Sequence, residues 1–220
     1  MKFSVTSAIR FGWETFKRRP WFFIGASIVI AVLYIAASSI SAGVDSIFGG
    51  SLEEETVPGQ IVSYLLGALI SMGVTAFYLA AHDSPDTVQL STLWHPSPFW
   101  KYLGTSILAT IAVVIGFILL IVPGIIAMLF FVFATFIVID RELGPIEAMK
   151  ESMRITEGHR LPLLGLIVLL ALILVAGVLV FGVGLLVAMP IATLAFTHAY
   201  RVISGTARQV PPADARLSAN

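Results

Sequence analysis

The chain has 220 residues, 58% of them hydrophobic and only 12% charged, with a mean hydropathy of +0.96. Soluble domains run at about 45–50% apolar and about 25% charged, so this chain has too little polar surface to cover a globule in water. Thirteen basic residues balance thirteen acidic ones, which removes any bulk attraction to nucleic acid, and the absence of cysteine removes disulfides and thiolate metal sites.

Residues 3–19 predict an amphipathic helix lying on a membrane. Ile9, Gly12, Trp13 and Phe16 recur at helical spacing, while Arg10, Glu14, Lys17 and Arg18 face the other way. The apolar run from Trp21 to Ala42 is longer than the about 7–15 residues of a cleavable signal's apolar region, so a retained first span is expected. A polar loop with Asp45, Glu53, Glu54 and Glu55 leads to a second span at about 61–81. In the next connection, Ser84-Pro85 should open a short helix that His95-Pro96 ends, and Ser97-Pro98 repeats the start signal. Trp94, Phe99, Trp100 and Tyr102 suit the headgroup level.

From Leu103 to Ile139 there is no charged residue. One helix of that length would measure about 55 Å, against a hydrocarbon core of about 30 Å. The run must double back, and Pro123-Gly124 supplies a tight turn. Leu161 to Tyr200 poses the same problem, with Gly182-Val183-Gly184 as its turn. Spans three to six are therefore expected at about 103–121, 125–139, 161–181 and 185–203, with a re-entrant pair over 103–139 as the alternative of equal parity. Six spans put all thirteen Lys and Arg on one side and four acids with no base in the opposite loop. Four spans would send Arg141, Lys150, Arg154 and Arg160 outward, against the positive-inside rule. The expectation is an all-α polytopic protein of a prokaryotic inner or plasma membrane with both termini cytoplasmic. Its parts are an interfacial helix at 1–20, a membrane domain at 21–203 and a disordered tail at 204–220.

The connection 140–160 is strongly patterned. Gly144-Pro145 opens a helix and Gly158 closes it. Ile146, Met149, Met153 and Thr156 form one face; Glu147, Lys150, Glu151, Arg154 and Glu157 form the other. An interfacial helix followed by a hairpin can be read three times over. Laying Ala8 on Ala148 puts Arg10 on Lys150 and Gly25 on Gly165.

Val122-Pro123-Gly124-Ile125, then Phe136 to Glu142, Leu143-Gly144-Pro145-Ile146-Glu147-Ala148 and Met153 to Arg160 together resemble the small polytopic proteins related to the membrane domain of glycerophosphoryl diester phosphodiesterases. The likeness covers roughly 40 residues closely and the six-span layout loosely. It implies the membrane fold only. The family's chemistry belongs to a soluble phosphodiesterase domain, for which the spans and short connections here leave no expected room, so no catalytic residue carries over.

Asp140, Arg141 and Glu142 admit two readings: a substrate or ion gate, or a charge cluster pairing locally at the end of span four. Glu147, Ser152, Arg154, Thr156 and Gly158 read as a docking face, or as a well-capped interfacial helix with Glu147–Lys150 and Glu151–Arg154 pairs. The local reading is favoured for both sets. His82, His95, His159 and His198 show no metal-ligand spacing, and His198 reads as an interfacial histidine rather than a proton relay. Gly67, Ser71, Gly73 and Ala76 should let helices approach rather than line a path. The spans are expected to be free of charge, whereas pumps and coupled carriers place ionisable groups near the midplane. The function expected is therefore non-enzymatic, with no cofactor: a scaffold or accessory subunit whose partners are the bilayer and a membrane protein or second copy. The alternative is a small transporter or lipid-handling protein.

Overall fold

The computed structural model describes residues 3–50, 55–94, 98–179, 182 and 184–206. In chain order the helices are α1 (Val5–Arg18), α2 (Pro20–Ile47), α3 (Val57–Asp83), a 3-10 turn at Leu90–Leu93, α4 (Phe99–Leu119), α5 (Ile121–Phe131), α6 (Ala134–Arg141), α7 (Pro145–Thr156), α8 (Arg160–Leu179) and α9 (Leu185–Ile203). Among the described residues there is no strand, and six helical segments are long and apolar enough to cross a membrane: α2, α3, α4, α5 with α6, α8 and α9. The fold is all-α and polytopic, with three hairpins.

The hairpin turns differ from those expected. Between α4 and α5 the reversal falls on one extended residue, Leu120 (φ −170°, ψ 162°), so Pro123 and Gly124 lie in the first turn of α5. Pro123 costs nothing there because a first-turn N–H has no intrahelical partner. Gly124 serves close approach instead: a Cβ on it would sit 2.4 Å from the Phe117 ring, and one on Gly116 would sit 3.0 Å from the Gly124 Cα. The α8–α9 hairpin closes the same way, since a Cβ on Gly184 would lie 2.6 Å from the Gly177 carbonyl oxygen. Gly182 takes a positive φ of 74°, as a turn glycine should, while Val183 lies outside the described residues. The fourth span is one polar-stitched unit rather than a continuous helix: α5 and α6 are separated at Val132 and Phe133.

The three units close into a ring. The second span of each hairpin (α3, α5–α6, α9) buries more of its surface than the first (α2, α4, α8). Each connecting element packs on the second span of the hairpin before it. The 3-10 turn lies on α3, α7 lies on α5 and α6, and α1 closes the circle on α9. Ala8, Gly12, Thr15 and Phe16 are the buried face of α1; Ala148, Ser152, Ile155 and Thr156 are that of α7. These two sets share one register, the register that lays Ala8 on Ala148. It differs from both expected faces, because Trp13 and Ile146 are exposed. Small residues win the inner positions because the contact is close: a Cβ on Gly12 would be 2.5 Å from the Ile191 carbonyl oxygen. In the middle unit the expected short helix from Ser84-Pro85 shrinks to the single 3-10 turn, and its expected end at His95-Pro96 lies outside the described residues, as does the tail from 207.

Candidate functional site

Lipid tails are as apolar as leucine, so burying apolar surface between spans drives association weakly, and packing and polar pairing decide which helices meet. The main polar assembly lies where the three second spans end. α3 ends in His82 and Asp83, α6 ends in Asp140 and Arg141, and α9 carries His198, Tyr200 and Arg201 in its last turns.

Arg201 is the hub. One guanidinium nitrogen donates to Asp140 Oδ1 at 2.6 Å, and the other donates to Asp83 Oδ2. The second oxygen of Asp140 accepts from the Tyr200 hydroxyl at 2.8 Å. Arg201 is only 7% exposed, and Tyr200, His82 and Phe133 are as well covered or better. Two carboxylates against one guanidinium leave the group one negative charge in excess while the histidines are neutral. Such an assembly is stable only when every ion keeps its partners, because removing one strands a buried charge.

Behind it lies a histidine pair. His82 Nδ1 faces Asp83 Oδ1 at 3.1 Å, and His82 Nε2 faces His198 Nδ1 at 3.1 Å. A carboxylate only accepts, so a neutral His82 donates from Nδ1 and accepts at Nε2, which assigns the shared proton to His198 Nδ1. Phe11 of α1 covers both imidazoles, its centroid 4.6 Å from His82 and 4.3 Å from His198. The pair is thus sealed by the helix that closes the ring. Among the described residues no group of three or more His, Asp or Glu is placed to hold a metal.

The candidate residues on α7 have local duties. The Ser152 hydroxyl donates to the Phe130 carbonyl at 2.7 Å and accepts from the Phe133 N–H at 3.3 Å, so it repairs the backbone where α5 gives way to α6. Thr156 is buried and bonds back to the Ser152 carbonyl at 2.8 Å. Glu147 accepts from the Gly144 N–H at 3.0 Å and so caps its own helix. Gly158 takes φ +78° just beyond the end of α7. Arg141 and Arg154 converge on Glu151, each at 2.6 Å, and those bonds, Arg154's foremost, hold the Glu151 carboxyl below the usual carboxylate range. Glu142 adopts φ 52° to end α6, and Lys101 Nζ donates to its carbonyl at 2.7 Å.

Asp140 therefore joins the cluster around Arg201. Arg141 ties α6 to Glu151 of α7 and to the Ser204 carbonyl just beyond α9 at 3.3 Å, and Ser152 ties α7 to the α5–α6 break. Glu142, Glu147, Thr156 and Gly158 hold local structure, and Arg154 stands largely exposed. Two expectations are corrected. The spans are not free of charge, since Arg201 lies within 185–203 and is buried. Gly67 does not bring helices together but lines a cavity, with nothing within 4 Å of a Cβ on it; Ser71 lines the same cavity and also meets Tyr34 of α2 at 2.8 Å, and Gly73 makes a close approach to Leu93. The partners of Arg201 carried one signal in the sequence: spans two, four and six run the same way, and each ends in a charged residue, Asp83, Asp140 and Arg201. The pairing of His82 with His198 carried none.

The fold, with six apolar helical segments, defines a multi-pass, all-helical membrane protein. The chain belongs to the family described as Domain of unknown function (DUF7847), whose model matches residues 87–211 and so takes in the second and third hairpins with Asp140 and Arg201. It is similar to uncharacterised proteins of Mycobacterium tuberculosis and Mycobacterium bovis, each 25% identical over 240 aligned positions that cover 96% of this chain and 73% of the relative. No solved structure matches it.

Proposed function

We propose that this protein is a non-catalytic component of a prokaryotic cell membrane, with both chain ends on the cytoplasmic side, acting as a scaffold or accessory subunit for a membrane partner or a second copy. The observation that carries this reading is the closed state of the charge cluster. The two terminal nitrogens of Arg201 hold Asp140 and Asp83, while its buried Nε is left without a partner among the described residues, and Phe11 covers the histidines beside the bridge. Such a centre ties three hairpins together, a holding role that the pairing of its own charges supports. Above it, α7 turns Ile146 outward, 62% exposed, beside Lys150 and Arg154, an amphipathic surface suited to a partner at the membrane face.

A second reading, lipid handling, is favoured by lateral openings along α3. One of them, about 700 Å³, is walled by Leu65, Leu66, Leu69, Phe99 and Lys101. Purification in mild detergent and in nanodiscs, with identification of whatever co-purifies, separates the two. The scaffold reading expects a reproducible protein partner or a stable homo-oligomer. A monomer that carries only bound lipid overturns it in favour of the second.

A further inference from the structure

A different opening lies on the flank of α3 that faces α4. It measures about 380 Å³ and is walled by Gln60, Ser63, Tyr64 and Ser71 from α3 and by Tyr102 and Ser106 from α4. Ligand pockets commonly span about 300–1,000 Å³. The α3 residues recur every three or four positions, which aligns them on one face of the helix. Two hydroxyl pairs cross between helices here: Tyr34 with Ser71 at 2.8 Å, and Tyr64 with Ser106 at 3.3 Å. Gly67 keeps the middle open, because a Cβ on it would meet no atom within 4 Å.

Hydroxyls and an amide gathered on one side of an otherwise apolar bundle are costly to leave against hydrocarbon. Among the described residues the lining holds one carboxylate, Glu55, no basic residue, and otherwise hydroxyls, an amide and small residues. Among those residues an anion would find no counter-charge, and hydroxyls and an amide outnumber the one carboxylate a cation could meet. Hydroxyls and a carboxamide both donate and accept, and the tyrosines add ring faces, which together suit a ligand dense in hydroxyls.

We propose that this cavity binds a neutral polyhydroxylated group, a sugar or polyol. That group arrives either as a lipid headgroup through the lateral opening or as a free solute. The proposal goes beyond the scaffold reading and does not depend on it.

The test uses the full chain in phosphatidylcholine nanodiscs. These are titrated with a monoglucosyl diacylglycerol and, separately, with free glucose, and binding is followed by native mass spectrometry and calorimetry. Saturable binding of at least one probe is expected. Gly67→Leu should abolish it, since the new side chain projects into the cavity, and Gln60→Leu should weaken it roughly tenfold or more through the lost hydrogen bonds. Gly25→Leu, also placed in open space but away from the cavity, should bind as the parent does. Glycolipid binding alone assigns the headgroup; binding of glucose as well assigns the free solute. The proposal is overturned if neither probe binds, or if Gly67→Leu folds and binds like the parent. A chain that keeps a protein partner yet binds neither sugar loses this site and keeps the scaffold reading; one that binds sugar without a partner does the reverse.

Discussion

The two ends of the bundle each bury an acid, and they use it differently. At the end holding the first hairpin's loop, Asp45 is 6% exposed, and its Oδ1 accepts from both the backbone N–H and the hydroxyl of Thr56, each at 2.6 Å. It sits beside the N-terminus of α3, where unsatisfied N–H groups and the helix dipole favour an anion. Its partner is eleven residues away, so the contact shapes one turn. At the opposite end, Asp140 and Asp83 reach Arg201 across 61 and 118 residues. A short-range carboxylate cap fixes how a hairpin starts. A long-range ionic bridge fixes which hairpins are neighbours.

Substitutions at the two ends should therefore differ in size and reach. Arg201→Met strands two carboxylates and is expected to cost about 3–5 kcal/mol, with loss of protection in all three hairpins by hydrogen exchange in nanodiscs. Uniform exchange with no change in thermal midpoint would show that the bridge holds nothing. Gly12→Val comes next, at about 1–3 kcal/mol for forced overpacking, because its Cβ meets the Ile191 backbone; loosening should appear in α1 and around the histidine pair that Phe11 covers. Ser152→Ala leaves the Phe130 carbonyl and Phe133 N–H unpaired at the α5–α6 break, for about 1–3 kcal/mol localised there. Asp45→Ala should cost about 0.5–2 kcal/mol as a lost cap, confined to the start of α3, and spread of exchange to α9 would erase the contrast between the ends.

The smallest effect is one of pH. The Glu151 carboxyl is depressed in the folded chain by Arg154 and Arg141. Its contribution is thus complete above the ordinary glutamate range and lost as pH falls through the lowered folded value. Arg154 is largely exposed, so the contribution is below about 1 kcal/mol. Glu151→Gln should lower the neutral plateau by that contribution while leaving the low-pH level unchanged, so the acid limb flattens. An unchanged acid limb would show that the Arg141–Glu151–Arg154 group is passive.

The six spans were legible because their signal is bulk: uncharged runs too long for one crossing, together with a spacing of basic residues that favours an even fold-back of each run. The shared register of Ala8 and Ala148 was legible as well, since each helix carries its own small residues into a close contact. Turn placement was less so. Pro123-Gly124 marks the reversal but does not form it, because proline is tolerated equally in a turn and in the first turn of a helix, and only the packing of Gly116 against Gly124 selects the second. The break at Val132 and Phe133 left no local mark, since its repair comes from Ser152 on another helix. The same holds for the cluster. Asp140 stood out beside Arg141 and Glu142, yet its true partner, Arg201, lies at the end of a different span, and His82 meets His198 only because the ring closes.

Thermal unfolding of three chains in identical nanodiscs addresses the bridge most directly: the parent, Arg201→Met, and Arg201→Met combined with Asp83→Asn and Asp140→Asn. If Arg201 serves to neutralise those two carboxylates where three hairpins meet, the single variant should melt far below the parent and the triple variant should regain most of the loss, because no buried charge is left unmatched. A triple variant that melts lower still than the single one would contradict that account.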